Sequence, residues 1–261
     1  MNIPDTPDRL RALLDDYAAE YNVPEFADSD PVRFARRFTA LPDREIAALL
    51  VSTISWGRRP MILRNAERLL ALLEGEPLGF VLEGDIESIP DDNIHRTFFG
   101  RHLRYYLRGL RELYTRFGTL ENFARAVGAA APGEAPAWAI AENLGRLLAD
   151  ANRACGTKPD GPDRCLPSKP ATSALKRLNM ALRWLVRRGG WELFGPDRLY
   201  IPMDVHVCNT SAALGLLPSA PRTPDRKCAV ALTESLRAFR PDDPTVYDFA
   251  LFGIGVNGAL K

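Results

Sequence analysis

The sequence predicts an all-α fold, and three observations support this. Apolar residues recur at the three- and four-residue spacing of amphipathic helices along most of the chain. Strict alternation of apolar and polar residues, which is typical of half-buried strands, is nearly absent. Of the 261 residues, 46% are hydrophobic and 26% are charged, which is an ordinary globular balance. We therefore expect a helical protein with a sizeable core.

Helix signals are clearest before residue 152. Thr6 followed by Pro7 is typical of an N-cap with proline at the first helical position, and predicts a helix over residues 6–22. The segment DREIAALLVSTISW, which begins at Asp43, is apolar on nearly every side and predicts a buried helix. The same apolar spacing predicts further helices over residues 31–38, 58–73, 101–117, 120–127 and 136–151.

The chain loses this periodicity over residues 152–170, where Gly and Pro interrupt it, so a long loop is predicted there. Helices are then predicted over residues 172–188 and from Asp204 onward. A second Thr-Pro pair, at 223–224, predicts the N-cap of another helix. The last segment, TVYDFALFGIGVNGAL, is expected to begin as a helix and to fray at its glycines.

These elements suggest a single unit, 1–261, made of two helical lobes. The first lobe covers residues 30–151, and the loop over 152–170 connects it to the second lobe, 171–261. We expect the N-terminal helix, 6–22, to pack with the second lobe.

The composition also limits the class of protein. The spacing of the four cysteines fits neither a zinc pair nor a compact iron–sulfur run, so we expect reduced thiols, no metal and no cofactor. No apolar run approaches the ~20 residues that span a bilayer, and the N-terminus lacks the layout of a signal peptide. We expect a cytoplasmic protein, monomeric and without a membrane partner.

Positive charge is concentrated in two segments, although the formal net charge is only +1. Residues 164–191 contain seven lysines and arginines and no acid, and residues 95–118 contain six arginines against the single acid Glu112. Such local basic segments indicate an anionic partner. The alternative is a pair of solvated helix faces that acids elsewhere in the chain balance in space.

The predicted helix over 172–188 separates apolar from basic residues. At about 100° per residue, its leucines and Val186 form one face. Lys176, Arg183 and Arg187 form a narrow stripe away from that face, with Met180 alongside. We expect the helix to bury its leucines and to present this stripe outward. The stripe alone is compatible with water or with the phosphates of a nucleic acid.

Three segments carry a resemblance to a known family: SALKRLNMALRWLVRR, IPMDVHV and YDFALFGIG. Together with DREIAALLVSTISWGRRPMILRNAERLL, they resemble the helix-hairpin-helix DNA glycosylase superfamily, and most closely its archaeal 8-oxoguanine glycosylase branch. The resemblance covers roughly residues 30–257 and runs through a poorly characterised bacterial family. It implies a two-lobed helical architecture with a cleft between the lobes.

The resemblance also implies an activity and a site. Lys176 and Asp204 correspond to the catalytic lysine and aspartate of a DNA glycosylase with lyase activity, which removes an oxidised purine such as 8-oxoguanine from double-stranded DNA. The residues that correspond to base contacts are Trp56, Met180, Asp248 and Phe252. The residues expected to contact the DNA backbone are Lys169, Arg177, Arg183, Arg187 and Arg188.

Other interpretations stay open at this point. The Gly-rich hairpin of the superfamily is absent, which favours a non-catalytic helical nucleic-acid-binding protein that keeps the fold. An enzyme that handles bases in RNA or free nucleosides is a third interpretation. At the level of single residues, Asp204 is also compatible with a plain N-cap, and Lys176 with a phosphate contact.

Overall fold

The computed structural model describes residues 6–155, 160–167 and 171–256, and its helical content confirms the all-α prediction. The α-helices of the described residues are α1 (Pro7–Tyr21), α2 (Pro24–Asp28), α3 (Val32–Ala35), α4 (Leu41–Ile54), α5 (Arg59–Ala71), α6 (Pro77–Glu83), α7 (Gly100–Phe117), α8 (Leu120–Ala126), α9 (Pro136–Ala154), α10 (Lys176–Arg188), α11 (Val205–Ala213), α12 (Arg226–Arg237) and α13 (Tyr247–Val256). The sequence did not predict the short antiparallel hairpin of β1 (Asn93–His95) and β2 (Phe98–Phe99), nor helices α2 and α6. None of the described helices is long and apolar enough to cross a bilayer.

Two predicted helix caps are confirmed and one is wrong. The Thr6 side chain accepts from a backbone N–H of α1, and the Asp204 side chain caps α11. Helix α12 is capped by Asp225 instead of Thr223. The reason is a tertiary one, because the N–H of Arg226 donates to the carbonyl of Thr172 at 2.8 Å, and this fixes the chain where the helix begins.

Helix α13 runs through Gly253 and Gly255 to Val256, so the predicted fraying at these two glycines is wrong; Gly258 lies outside the described residues. A Cβ atom at Gly253 would lie 2.4 Å from the Tyr21 ring. The missing side chain therefore lets α1 pack closely along α13, and the packing compensates for the low helix propensity of glycine.

Helix α4 is the centre of the core, as its sequence predicted. Every residue from 45 to 54 is buried. It packs against α3 and α5 near it in sequence and against the distant helix α10. The contact between α4 and α10 brings the N-terminus of α10 next to the C-terminal end of α4, which positions the candidate site.

Glu45 is a fully buried carboxyl group within α4. It accepts hydrogen bonds from the backbone N–H groups of Leu120 (2.7 Å) and Glu121 (3.0 Å), the indole N–H of Trp191 (2.7 Å) and the hydroxyl of Tyr114 (3.2 Å). Two of these donors are unpaired N–H groups of the first turn of α8, so Glu45 caps that helix from a distance. Burial raises the pKa of Glu45 to about 7, against the opposing effect of its donors.

Candidate functional site

The predicted nucleophile lies at the first position of α10. Lys176 is half-buried, and its Nζ donates to the carbonyl of Ser55 at 3.0 Å, at the C-terminal end of α4. The residue before it, Leu175, has φ 50° and ψ 39°, a left-handed conformation that costs a non-glycine residue about 1–2 kcal/mol. Strained backbone of this kind is concentrated at functional sites, where the surrounding structure holds it in place.

Three carboxylates from separate parts of the chain attract the Lys176 amine electrostatically. They belong to Asp204 at the N-terminus of α11, Asp248 in the first turn of α13, and Asp30 before α3. Burial lowers the pKa of Lys176 and the charge of Arg177 lowers it further, whereas the three carboxylates oppose this change. Both predicted catalytic residues and one predicted base contact therefore lie close enough for their charges to interact.

One carboxylate oxygen of Asp204 caps α11, and the other has no partner in the described residues. Its Oδ1 accepts from the backbone N–H groups of His206 (2.9 Å) and Val207 (3.0 Å). Its Oδ2 has no hydrogen-bond partner within the described part of the chain. The capping bonds fix the carboxylate in place, and the second oxygen is left for a proton or for a developing positive charge. The N-cap interpretation of Asp204 is confirmed, and it is compatible with a catalytic role.

Asp248 forms an ion pair with Arg183, in which Nη2 and Oδ2 lie 3.1 Å apart. Burial raises the pKa of Asp248, and the guanidinium of Arg183 opposes that change. Arg183 is only 8% exposed and also lies over the Phe249 ring at 4.5 Å. The expected outward orientation of Arg183 is therefore wrong, because the acid that neutralises it comes from α13, far away in the sequence.

The other predicted DNA contacts on this stripe are only partly described. Arg187 is half-buried and donates to the carboxylate of Asp243 at 2.7 Å. Lys169 lies outside the described residues, and so does the side chain of Arg188. Arg177 lies beside Lys176 and over the Trp56 ring, 5.7 Å from its centroid. The DNA-binding role of these residues stays a prediction.

The basic segment over 95–118 is largely neutralised within the protein, as the alternative interpretation proposed. Most of its arginines bind carboxylates or backbone carbonyls. The pairs are Arg101 with Asp91, Arg104 with Asp160, Arg108 with Glu87, Arg111 with the carbonyls of Val81 and Gly84, and Arg116 with Glu112. Only Arg96 of this segment contacts an aromatic ring at the candidate site, at 4.4 Å from the centroid of Trp56.

The predicted base contacts occupy different surroundings. Trp56 follows Ser55, which accepts from Lys176, and is therefore part of the site. Met180 lies one helical turn beyond Lys176, half-buried against the core. Phe252 is half-buried in an aromatic cluster with Tyr21 and Phe26, with ring centroids 5.9 and 5.5 Å away.

Sequence reasoning missed two groups at the site. The first is Asp30, whose negative charge raises the pKa of both Lys176 and Asp248. Its carboxylate lies 3.9 Å from the guanidinium of Arg59. The carbonyl of Ser55 is the second, and no sequence signal indicates a backbone acceptor. Asp30 stands among several acids in a short polar stretch, so its sequence context did not distinguish it from surface residues.

A pocket of about 40 Å³ lies next to this cluster, lined by Asp30, Arg183, Phe249 and Phe26 among others. That volume holds a few water molecules and is too small for a purine. A base bound here would require a movement of the lining segments. The described residues contain no group of three or more His, Cys, Asp or Glu side chains that could hold a metal ion.

Comparison with known proteins gives one match. A family model described as "Protein of unknown function (DUF2400)" matches residues 30–257. No curated protein matches the chain, and no solved structure matches it. The matched range contains Lys176, Asp204, Asp248 and Trp56, so the main side chains of the site lie within it. The family description states no activity.

Proposed function

We propose that this chain, which belongs to the DUF2400 family, is a DNA glycosylase with a lysine-dependent lyase step, acting on an oxidised purine such as 8-oxoguanine. The observation that carries the proposal is that Lys176 and Asp204 are both partly buried and close enough for their charges to interact. The choice of duplex DNA as the partner rests on the sequence resemblance, and so does the cleft between the lobes 30–151 and 171–261.

The surroundings of Lys176 support its use as a nucleophile. An amine must be unprotonated to attack a sugar carbon, and the ordinary pKa of lysine is near ~10.4. Burial and the neighbouring Arg177 lower the pKa of Lys176, which increases the fraction of free amine near neutral pH. Lys176 is also the first residue of α10, where the partial positive charge of the helix N-terminus lowers its pKa further.

The chemistry follows from the two side chains. As the bond between Nζ of Lys176 and the anomeric carbon forms, the glycosidic bond breaks, and the departing base takes its electron pair and then a proton. The negative charge of Asp204 stabilises the positive charge that develops on the sugar as the base leaves, and the carboxylate then accepts the proton that Nζ releases. The sugar ring opens to an iminium as the ring oxygen leaves and takes that proton back from Asp204 to become a hydroxyl. Loss of a proton from C2′ expels the 3′ phosphate and cuts the strand.

The base-binding residues follow from the same proposal. Unstacking a base costs a few kcal/mol, which the pocket must offset. Trp56 follows Ser55, whose carbonyl accepts from the amine, and offers a ring for stacking; Asp248 offers an acceptor for a purine N–H. The contributions of Met180 and Phe252 rest on the resemblance. Opening of the Asp30 segment would enlarge the small pocket next to Asp248.

Borohydride trapping on a duplex oligonucleotide that contains 8-oxoguanine tests the proposal directly. Borohydride reduces the iminium to a stable amine, so the wild type should form a covalent complex. Lys176→Gln should form none, whereas Lys227→Gln, an exposed lysine at the start of α12, should match the wild type. Asp204→Asn should slow base release by about 100-fold or more while leaving DNA affinity nearly unchanged.

Three outcomes would contradict the proposal. Trapping that persists in Lys176→Gln would remove this residue from the nucleophilic role. Binding to duplex DNA without trapping or base release across a panel of lesions would favour a non-catalytic nucleic-acid-binding protein. A preference for single-stranded RNA as competitor would favour an RNA substrate.

A further inference from the structure

The arginines of this protein fall into two groups by their partners. Those of the two basic segments mostly bind carboxylates or backbone carbonyls, as described above. Arg96 and Arg177 belong to a group, with Arg164 and Arg226, whose guanidinium has no ion pair or hydrogen-bond acceptor within residues 6–155, 160–167 and 171–256. Arg96 and Arg177 are distinguished by their contact with the ring of the same residue, Trp56.

We infer that Arg96 and Arg177, together with the Trp56 ring, bind the phosphodiester backbone of a nucleic-acid strand. This inference rests on the proposed function for its partner class, and it identifies which cations hold the strand. The guanidinium carbons of Arg96 and Arg177 lie 4.4 and 5.7 Å from the ring centroid. Arg58, two residues after Trp56, is exposed and has no ion pair in the described structure.

The backbone around Trp56 is built to hold this arrangement. The carbonyl of Trp56 lies 2.8 Å from Nε2 of His95, whose Nδ1 lies 3.0 Å from the amide nitrogen of Asn65. Gly57 has φ 105°, a conformation that glycine adopts readily, and a Cβ there would come within 3.0 Å of the Arg96 guanidinium. Glycine therefore permits the close approach of Arg96 to the turn that carries Trp56.

The energetics favour an anionic ligand. Arg177 is half-buried, and burial lowers its pKa, because removing a charge from water is costly unless a partner compensates. Cys165 and Asp163 oppose this change by their charges, but neither forms a hydrogen bond or an ion pair with the guanidinium in the described structure. The Nη atoms of Arg177 are not among the buried side-chain atoms and have no acceptor within the described residues. A phosphodiester supplies both the charge and the acceptor oxygens for them, in the geometry that guanidinium groups bind best.

The combination of rings and cations favours a nucleic-acid strand over a small anion. Strand-binding surfaces place cations along the phosphates and an aromatic ring where a base can stack. Trp56 supplies such a ring, and a base that stacks on it would replace the Arg96 guanidinium, which lies over the ring at 4.4 Å and would turn to a phosphate. Since Arg177 follows Lys176 in sequence and Trp56 follows Ser55, a strand held at this patch would run directly past the candidate nucleophile.

The test measures binding of fluorescein-labelled, undamaged duplex and single-stranded oligonucleotides by fluorescence anisotropy, at salt concentrations between about 50 and 200 mM. Each phosphate contact contributes about 0.9 to the slope of log affinity against log salt. Arg96→Gln and Arg177→Gln should each lower the slope by about that amount and weaken binding several-fold. The matched control Arg116→Gln removes an exposed, paired arginine of the same segment and should change neither.

The design keeps the inference separate from the glycosylase proposal, since undamaged strands require no base release. Arg96 is exposed, so its variant should fold even if replacing Arg177 destabilises the protein. Equal slopes for Arg96→Gln, Arg116→Gln and the wild type would overturn the inference. So would wild-type binding to phosphatidylglycerol vesicles without binding to either oligonucleotide. A lowered slope without covalent trapping would support the patch and contradict only the glycosylase.

Discussion

Replacing Glu45 by glutamine should destabilise the protein by about 2 kcal/mol at mildly acidic pH. When Glu45 is protonated, one oxygen can accept from Glu121 and Trp191, and the other can accept from Leu120 while donating to the Tyr114 hydroxyl. A glutamine amide nitrogen cannot accept, so it leaves one buried N–H without a partner. An orphaned buried donor costs about 1–3 kcal/mol.

The same substitution should change the pH dependence of stability. Burial raises the pKa of Glu45 from 4.5 to about 7, so the folded protein holds a proton that the unfolded chain releases. This contribution is fully present below pH 4.5 and is lost as the pH rises through about 7. Between about pH 5.5 and pH 8 the wild type should lose roughly 2 kcal/mol relative to Glu45→Gln. The two proteins should therefore have similar stability at about pH 8.

Urea unfolding followed by far-ultraviolet circular dichroism at a series of pH values measures both effects. Glu67→Gln is the matched control, because Glu67 is half-exposed and pairs only with Arg37 at the surface. Such pairs contribute at most about 1 kcal/mol. Arg37 lowers the pKa of Glu67, so its contribution is lost as the pH falls, the opposite direction to that of Glu45. A stability difference for Glu45→Gln that stays constant from pH 5.5 to pH 8, or that does not exceed the control, would refute the reasoning.

Three further predictions concern packing and the ion pair at the site. Gly109→Ala should cost about 1–3 kcal/mol, since its Cβ would lie 2.0 Å from the Leu148 side chain and 3.0 Å from its Cα, between α7 and α9. At Gly79 in α6 an added Cβ would contact only Glu76, at 3.5 Å, so Gly79→Ala should stabilise the protein by about 0.5–1 kcal/mol through the higher helix propensity of alanine. Equal urea midpoints for the two alanine variants would contradict both predictions. Asp248→Asn should cost about 3 kcal/mol, because it leaves the buried guanidinium of Arg183 without a counter-charge, and an unchanged midpoint would show that water replaces the carboxylate.

The sequence alone predicted the elements whose causes are local. The N-caps at Thr6 and Asp204 need only a side chain and the next few backbone N–H groups, and both are present in the structure. The burial of α4 follows from apolar residues on nearly every side of one helix. The choice of Lys176 and Asp204 as a pair came from resemblance, and the structure places their charges within reach of each other.

What the sequence could not predict depends on residues that are far apart along the chain. Whether an arginine faces water or a carboxylate depends on which acid the fold brings to it, as with Arg183 and Asp248. Gly253 was expected to disturb α13, but the close approach of Tyr21 makes a side chain there impossible. The raised pKa of Glu45 likewise requires its complete burial together with donors from α8 and from Trp191.

The sequence by itself determined the helical class, most of the helices and the side chains with suitable chemistry. Only the tertiary structure decided which cations remain without partners, which acids surround Lys176, and that Arg96 and Arg177 meet at Trp56. The physical reason is the difference between distance along the sequence and distance in space. Helix formation and capping depend on groups within a few residues of one another, whereas charge pairing and burial depend on distances in space.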